Sequence, residues 1–177
     1  MSACLLTGRP GVGKTSLLRE AIGNAGESAG GFYTQEMRNH GVRQGFELVT
    51  LDGDKAVLAH VDIRSPHRVG KYGVDIEALN RVGVPAIRRA IASSQVVIID
   101  EIGKMEMLSV PFREAVWEAL ESGERVLGTI MLHSNPLADE IKRHPGVTVI
   151  PVTRENHTEV MARLLEWLKK MEKPRDG

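Results

Sequence analysis

The chain has 177 residues, 42% hydrophobic and 26% charged, and its 23 Lys+Arg balance 23 Asp+Glu. That length suits one domain carrying a small insertion, and zero net charge excludes a generically basic nucleic-acid binder or a polyacidic tail while leaving room for a local basic site. One cysteine, Cys4, excludes an intrachain disulfide framework and a Cys-rich zinc centre; with no apolar run near the ~18–20 residues of a membrane span and no signal-peptide pattern at the N-terminus, a cytoplasmic protein without membrane contact is expected.

Aromatic residues are few, two Trp, two Tyr and three Phe, so Val, Ile, Leu, Ala and Met must build the core. Ala3-Cys4-Leu5-Leu6-Thr7 reads as a buried strand. A Gly-rich turn follows, and residues 15–25 read as a helix with Leu17, Leu18, Ala21, Ile22 and Ala25 on one face. Gly23, Gly26, Gly30 and Gly31 punctuate its exit. Three strand-like runs, 32–38, 44–51 and 56–61, are separated by the turns Asn39-His40-Gly41 and Asp52-Gly53-Asp54. They predict an antiparallel meander inserted at about 31–61. Residues 62–75, with Arg64, Pro66, Gly70 and Gly73, read as a long surface loop. A helix over 76–92 is predicted to break or restart near Gly83-Val84-Pro85. Residues 96–99 form a β-branched run suited to a strand buried on both faces.

Ser109 can cap a helix with Pro111 in its first turn and Gly123 past its end. Residues 126–131 and 147–152 are the next strands, with a short helix opened by Asn135-Pro136 between them. Asn156 and Glu159 resemble a capping box ahead of a final helix striped with Val160, Met161, Leu164, Leu165, Leu168 and Met171. Residues 173–177 are expected to fray, leaving 1–172 as a single domain. The alternation predicts an α/β three-layer sandwich, a mostly parallel central sheet with helices on both faces.

Gly8-Arg9-Pro10-Gly11-Val12-Gly13-Lys14-Thr15 matches G-x-x-x-x-G-K-[ST] at every fixed position, between an apolar strand and an amphipathic helix. Phosphate oxygens must approach backbone N–H groups closely, and glycines at 8, 11 and 13 clear that approach. The helix start adds its dipole and free donors, and Ser16 lies within that first turn. Lys14 can reach the β- and γ-phosphates, and the Thr15 hydroxyl can ligate Mg²⁺. Residues 8–16 are therefore the predicted nucleotide-binding segment.

Val96-Val97-Ile98-Ile99-Asp100-Glu101 delivers two carboxylates to the sheet's carboxyl edge, where ligands bind in open α/β folds. Asp100 is the expected Walker-B acid that positions Mg²⁺. Glu101 can orient or deprotonate the attacking water.

Asp100-Glu101-Ile102-Gly103-Lys104-Met105-Glu106 resembles the signature of the THEP1 family of nucleoside-triphosphatases. Gly31-Phe32-Tyr33-Thr34 with Arg38, and Val69-Gly70-Lys71-Tyr72-Gly73-Val74-Asp75, are similar to further segments of that family, and the likeness runs from Leu5 to about the last helix. The resemblance implies a P-loop NTPase fold with an added strand, 126–131, between the phosphate-loop strand and the Asp100 strand. It also implies a catalytic glutamate and Mg²⁺-dependent hydrolysis of several nucleoside triphosphates (ATP, GTP, CTP, UTP) to diphosphate and phosphate.

Other candidates are less specific. Lys104 can contact phosphate or stabilise transition-state charge, or be a surface lysine at a helix start. Arg9 can reach over the phosphates or be solvated. Lys71 and Arg64 can close over the nucleotide or simply hydrate their loop, and His133 and Ser134 can sense the γ-phosphate or form a turn. The N-K-x-D run of guanine-specific GTPases is absent, and Thr153-Arg154-Glu155-Asn156 is the expected place for the base, with Arg154 stacking in a base-tolerant way. No arginine finger can be assigned, so slow turnover is expected. The alternatives are a kinase passing the γ-phosphate to a nucleotide or other small molecule, and a nucleotide switch regulated by a partner or nucleic acid. A nucleic-acid partner is not expected, because the chain is neutral and poor in aromatics. A monomer is expected.

Overall fold

A computed structural model describes residues 2–25 and 28–170. Gly26, Met171, the tail at 173–177 and the side chain of Ala25 lie outside the described residues. The first strand, β1 (Ala3–Thr7), runs through the phosphate loop into α1 (Lys14–Ala25). Next come β2 (Ala29–Asn39), β3 (Val42–Thr50), β4 (Lys55–His60), β5 (Arg68–Val69) and β6 (Tyr72–Val74). Then α2 (Ile76–Ala78), a π-helical turn at Leu79–Gly83 and α3 (Val84–Ser93) lead to β7 (Val96–Ile102). The chain closes with α4 (Val110–Glu121), β8 (Arg125–Ile130), α5 (Pro136–Arg143), β9 (Val147–Pro151) and α6 (His157–Lys170).

The strands of the described residues form one sheet in the order β5-β6-β4-β3-β2-β7-β8-β1-β9. Strands β2, β7, β8, β1 and β9 pair in parallel, and β8 stands between β1 and β7 as the resemblance implied. Side chains on these strands alternate between two cores. Leu5, Val97, Ile99 and Val126 face the helices that carry Ile87, Phe112, Ala115 and Ile141. Cys4, Leu6, Val96, Ile98 and Leu127 face Leu17, Leu18, Leu164 and Leu168 of α1 and α6. The period of two in a strand apolar on both sides dictates this division, and it makes three layers.

The meander joins the same sheet. The first residues of β2 pair in parallel with β7, Gly31 opposite Ile98, and the rest of β2 pairs antiparallel with β3. Gly31 has φ +102°, and a Cβ there would stand 2.1 Å from the Ile98 carbonyl oxygen, so only glycine lets β2 enter the sheet at this point. The antiparallel half thus grows directly from the strand beside the acidic pair.

Two local expectations differ, and a third is met through a π-helical turn. Residues 62–75 are not all loop, because β5 and β6 pair as a short hairpin and β6 adds to β4. The helix restarts where expected: the π-helical turn ends at Gly83 and α3 begins at Val84 with Pro85 in its first turn, while Gly83 and Val84 keep helical dihedrals so the chain does not bend away. Asn156 does not form the reciprocal capping box. Its side-chain oxygen accepts the Thr153 N–H at 2.8 Å and its amide donates to the Pro151 carbonyl at 3.0 Å, satisfying the short β9–α6 connection instead. Ser109 does cap α4, accepting the Phe112 N–H at 3.0 Å, and Asn135 caps α5.

Candidate active site

The phosphate loop lies between β1 and α1 at the carboxyl edge of the sheet, with Gly11 and Gly13 at φ +79° and +93°. Lys14 arches over it, donating from Nζ to the carbonyls of Gly8 (3.0 Å) and Arg9 (3.2 Å). His157, the first residue of α6, clasps the loop from behind, its Nε2 2.6 Å from the Val12 carbonyl oxygen. That contact spans 145 positions in sequence, and no local pattern points to it.

Asp100 is buried near the carboxyl end of β7. Thr15 donates its hydroxyl to Oδ2 at 2.7 Å, and Thr129 of β8 donates to Oδ1 at 2.5 Å. The Thr34 backbone also lies near this carboxylate and favours its charged form. Burial pushes the Asp100 carboxyl up from its ordinary value, while Thr129, Thr15 and nearby Lys14 oppose that shift. A hydroxyl and a carboxylate side by side are hard oxygen donors, and Mg²⁺ takes one or two protein oxygens while keeping water and phosphate oxygens for its remaining positions. The pair Thr15 and Asp100 fits that ion. Among the described residues no group of three or more His, Cys, Asp or Glu side chains converges to hold a metal.

A cleft of about 1030 Å³ opens over this edge. Gly8, Arg9, Pro10, Gly11, Gly13, Lys14, Thr15 and Ser16 form one wall, and Glu101, Lys104, Glu106 and His133 stand on another. Glu101 is half-buried; burial first, then the Asp100 charge, push its carboxyl up, and Lys14 opposes. Thr34, Glu36, Arg43, Phe46 and Tyr72 from the antiparallel strands complete the cleft. Arg43 is tied there, donating to Glu36 and to the Tyr72 hydroxyl at 3.0 Å each.

The predicted residues are therefore distributed unevenly. Residues 8–11, 13–16, Glu101 and Lys104 line the cleft, and Asp100 lies beneath it, hydrogen-bonded to Thr15. Val12 turns its carbonyl to His157 and is not among the lining residues. Arg154 is exposed and outside the lining, on the connection that leaves β9 where the Val152 N–H donates to the Thr7 carbonyl at 2.7 Å. Gly70 and Tyr72 reach the cleft while Lys71 and Arg64 are not among its lining residues, and Ser134 turns aside to Asp139. Sequence reading missed Thr129, Glu106 and His157 as site residues. Glu106 had one available signal, its place in the stretch that begins with Asp100 and Glu101.

A family model described as NTPase matches residues 3–165. The nucleoside-triphosphatase THEP1 of Thermotoga sp. (strain RQ2) is 44% identical over 165 residues, 93% of this chain and 94% of that protein. The chain belongs to the THEP1-type NTPase family. The crystal structure of the family member from Aquifex aeolicus superposes with a TM-score of 0.86 at 34% identity, covering 94% of this chain and 99% of that one. The solution structure of a human cancer-related nucleoside triphosphatase gives 0.83 at 38% identity, over 98% and 100%. Family and fold thus agree on a P-loop NTPase, and no helix among the described residues is long and apolar enough to cross a membrane.

Proposed function

We propose that this family member hydrolyses nucleoside triphosphates (ATP, GTP, CTP and UTP) slowly, in a Mg²⁺-dependent reaction, to diphosphate and phosphate. The observation that carries this reading is the meeting of the phosphate loop and the acidic pair: Thr15 is hydrogen-bonded to Asp100 across 85 positions, and Glu101 opens into the same cleft.

The loop amides of residues 8–16 and the α1 start hold the polyphosphate. Lys14, parked on two carbonyls, moves its ammonium onto the β- and γ-phosphate oxygens. Mg²⁺, held through Thr15 and Asp100, neutralises phosphate charge when bound. Glu101 orients the water and takes its proton as the water oxygen attacks Pγ. The bond from Pγ to the bridging oxygen breaks, and that oxygen leaves with the diphosphate. Lys104, exposed on the cleft rim, and Arg9 stand where they can meet developing charge. Arg43, the other arginine of the lining, is held by Glu36 and Tyr72, which supports slow turnover, on the order of 10⁻⁴–10⁻² s⁻¹. Arg154 supplies a flat, base-tolerant stacking surface near the loop.

The test is product analysis over the four triphosphates, with and without Mg²⁺, for the parent and Glu101→Gln. Diphosphate and free phosphate from all four, requiring Mg²⁺ and lost in Glu101→Gln with nucleotide affinity kept, is the expected outcome. Normal hydrolysis by Glu101→Gln removes Glu101 from its role, and a basal rate above about 10 s⁻¹ contradicts slow turnover. A second reading, transfer to an organic acceptor, is favoured by the cleft wall of Arg43, Phe46 and Tyr72 beyond the phosphate loop. Label from γ-labelled ATP appearing in a new product would support it.

A further inference from the structure

We infer that Glu106 is a positioning residue for Glu101, a neutral carboxyl that hydrogen-bonds it across the bare Cα of Gly103 and holds it toward the reacting phosphate. The inference rests on the reading of Glu101 as the group that orients the water.

Glu106 opens a 3-10 turn at Glu106–Leu108, is only 5% exposed, and still lines the cleft. A Cβ on Gly103 would stand 2.7 Å from Oε1 of Glu101 and 3.0 Å from Oε2 of Glu106. The two carboxyl groups therefore converge on one point, and the space where they meet exists because residue 103 has no side chain. The charges acting on Glu106 are negative, Glu101 first and then Asp100, and a bound triphosphate adds more of the same sign. A buried carboxylate facing only anions is strongly disfavoured, so the group keeps its proton.

A neutral carboxyl has one O–H to donate. Backbone at Glu106 itself and at Gly103 lies beside it and pulls toward the charged form, without outweighing burial and the two negative neighbours. Its proton needs an acceptor, and Glu101 presents one at the point of convergence. Its place at the start of the 3-10 turn accounts for the nearby backbone. It does not account for a carboxyl that meets Glu101 at the empty Cβ position of Gly103 inside the cleft.

The test is a double-mutant cycle on the full chain, reading kcat and nucleotide affinity separately. Glu106→Leu is expected to lower kcat about 10²-fold, the scale of a misplaced catalytic group, with affinity unchanged. Glu106→Gln retains a neutral N–H donor and is expected to turn over within a few-fold of the parent. In the Glu101→Gln background, Glu106→Leu is expected to cause no further loss, because its effect passes through Glu101. Glu106→Leu at the parent rate, a further fall in the double variant, or Glu106→Gln as slow as Glu106→Leu each overturns the inference while leaving the hydrolase reading standing. If Glu106→Leu fails to fold, Glu106→Gln decides alone and combined with Glu101→Gln. A rate within a few-fold of the respective background then supports the inference, and a fall of about 10²-fold in either background overturns it. A normal rate in Glu101→Gln alone overturns both readings.

Discussion

Thr129 donates its hydroxyl proton to Oδ1 of Asp100 from a fully buried position on β8, a strand that carries neither the phosphate loop nor the acidic pair. Thr15 takes the other oxygen. The strand inserted between β1 and β7 thus does more than widen the sheet. It supplies a second hydroxyl that fixes which way the Asp100 carboxylate points.

Thr129→Val keeps the shape and removes that donor. A buried acceptor that loses its partner costs about 1–3 kcal/mol. The expected result is a lower unfolding midpoint in urea, and a several-fold higher Mg²⁺ concentration for half-maximal turnover. Identical Mg²⁺ titrations for parent and variant would show that β8 has no part in orienting Asp100.

Gly103→Ala places a methyl group against the tips of two flexible side chains, Glu101 and Glu106, and not against backbone. The carboxyl groups can move aside, so stability should change by less than about 1 kcal/mol. Moving Glu101 is the functional cost. Turnover should fall about 10²-fold with nucleotide affinity retained, as read by single-turnover kinetics beside equilibrium binding.

Gly31→Ala meets the opposite situation. Its methyl would press on the Ile98 carbonyl, a backbone atom of the central strand, at a φ of +102°. Neither neighbour can yield without parting β2 from β7. A loss of about 3 kcal/mol or more in urea unfolding is expected, and a variant as stable as the parent would contradict the parallel pairing of these strands.

Burial, followed by the Glu101 charge, pushes the Glu106 carboxyl well above its ordinary value of 4.5. The folded state therefore keeps a proton that the unfolded chain releases as pH rises past 4.5. This group's contribution to stability is full below that value and is lost as pH climbs toward the folded pKa. Glu106→Gln removes the dependence. Denaturant unfolding between about pH 5 and about pH 8 should show the stability difference moving steadily in favour of the Gln variant. Parallel curves would mean that Glu106 titrates alike in both states.

The phosphate loop and the Asp100–Glu101 strand end were legible because each is a local device. A glycine run between strand and helix, and carboxylates at the end of a β-branched run, need only their own neighbours to specify their geometry. The helix caps at Ser109 and Asn135 were legible for the same reason. Asn156 was misread because the capping pattern describes a helix start and ignores the strand before it, whose exposed Pro151 carbonyl took the side-chain amide. The meander was visible as alternation and turns. That its first strand lies against β7 was not, since strand pairing is a long-range choice made by Gly31 meeting Ile98.

Amino-acid order alone thus determined the binding loop, the acidic strand end and the α/β class, all of which follow from patterns a few residues long. Tertiary structure decided that Thr129 would hold Asp100, that His157 would brace Val12, and that Glu106 would be buried against Glu101. These contacts depend on which strands and turns become neighbours, and burial gives a carboxyl its protonation state only after the chain has closed around it.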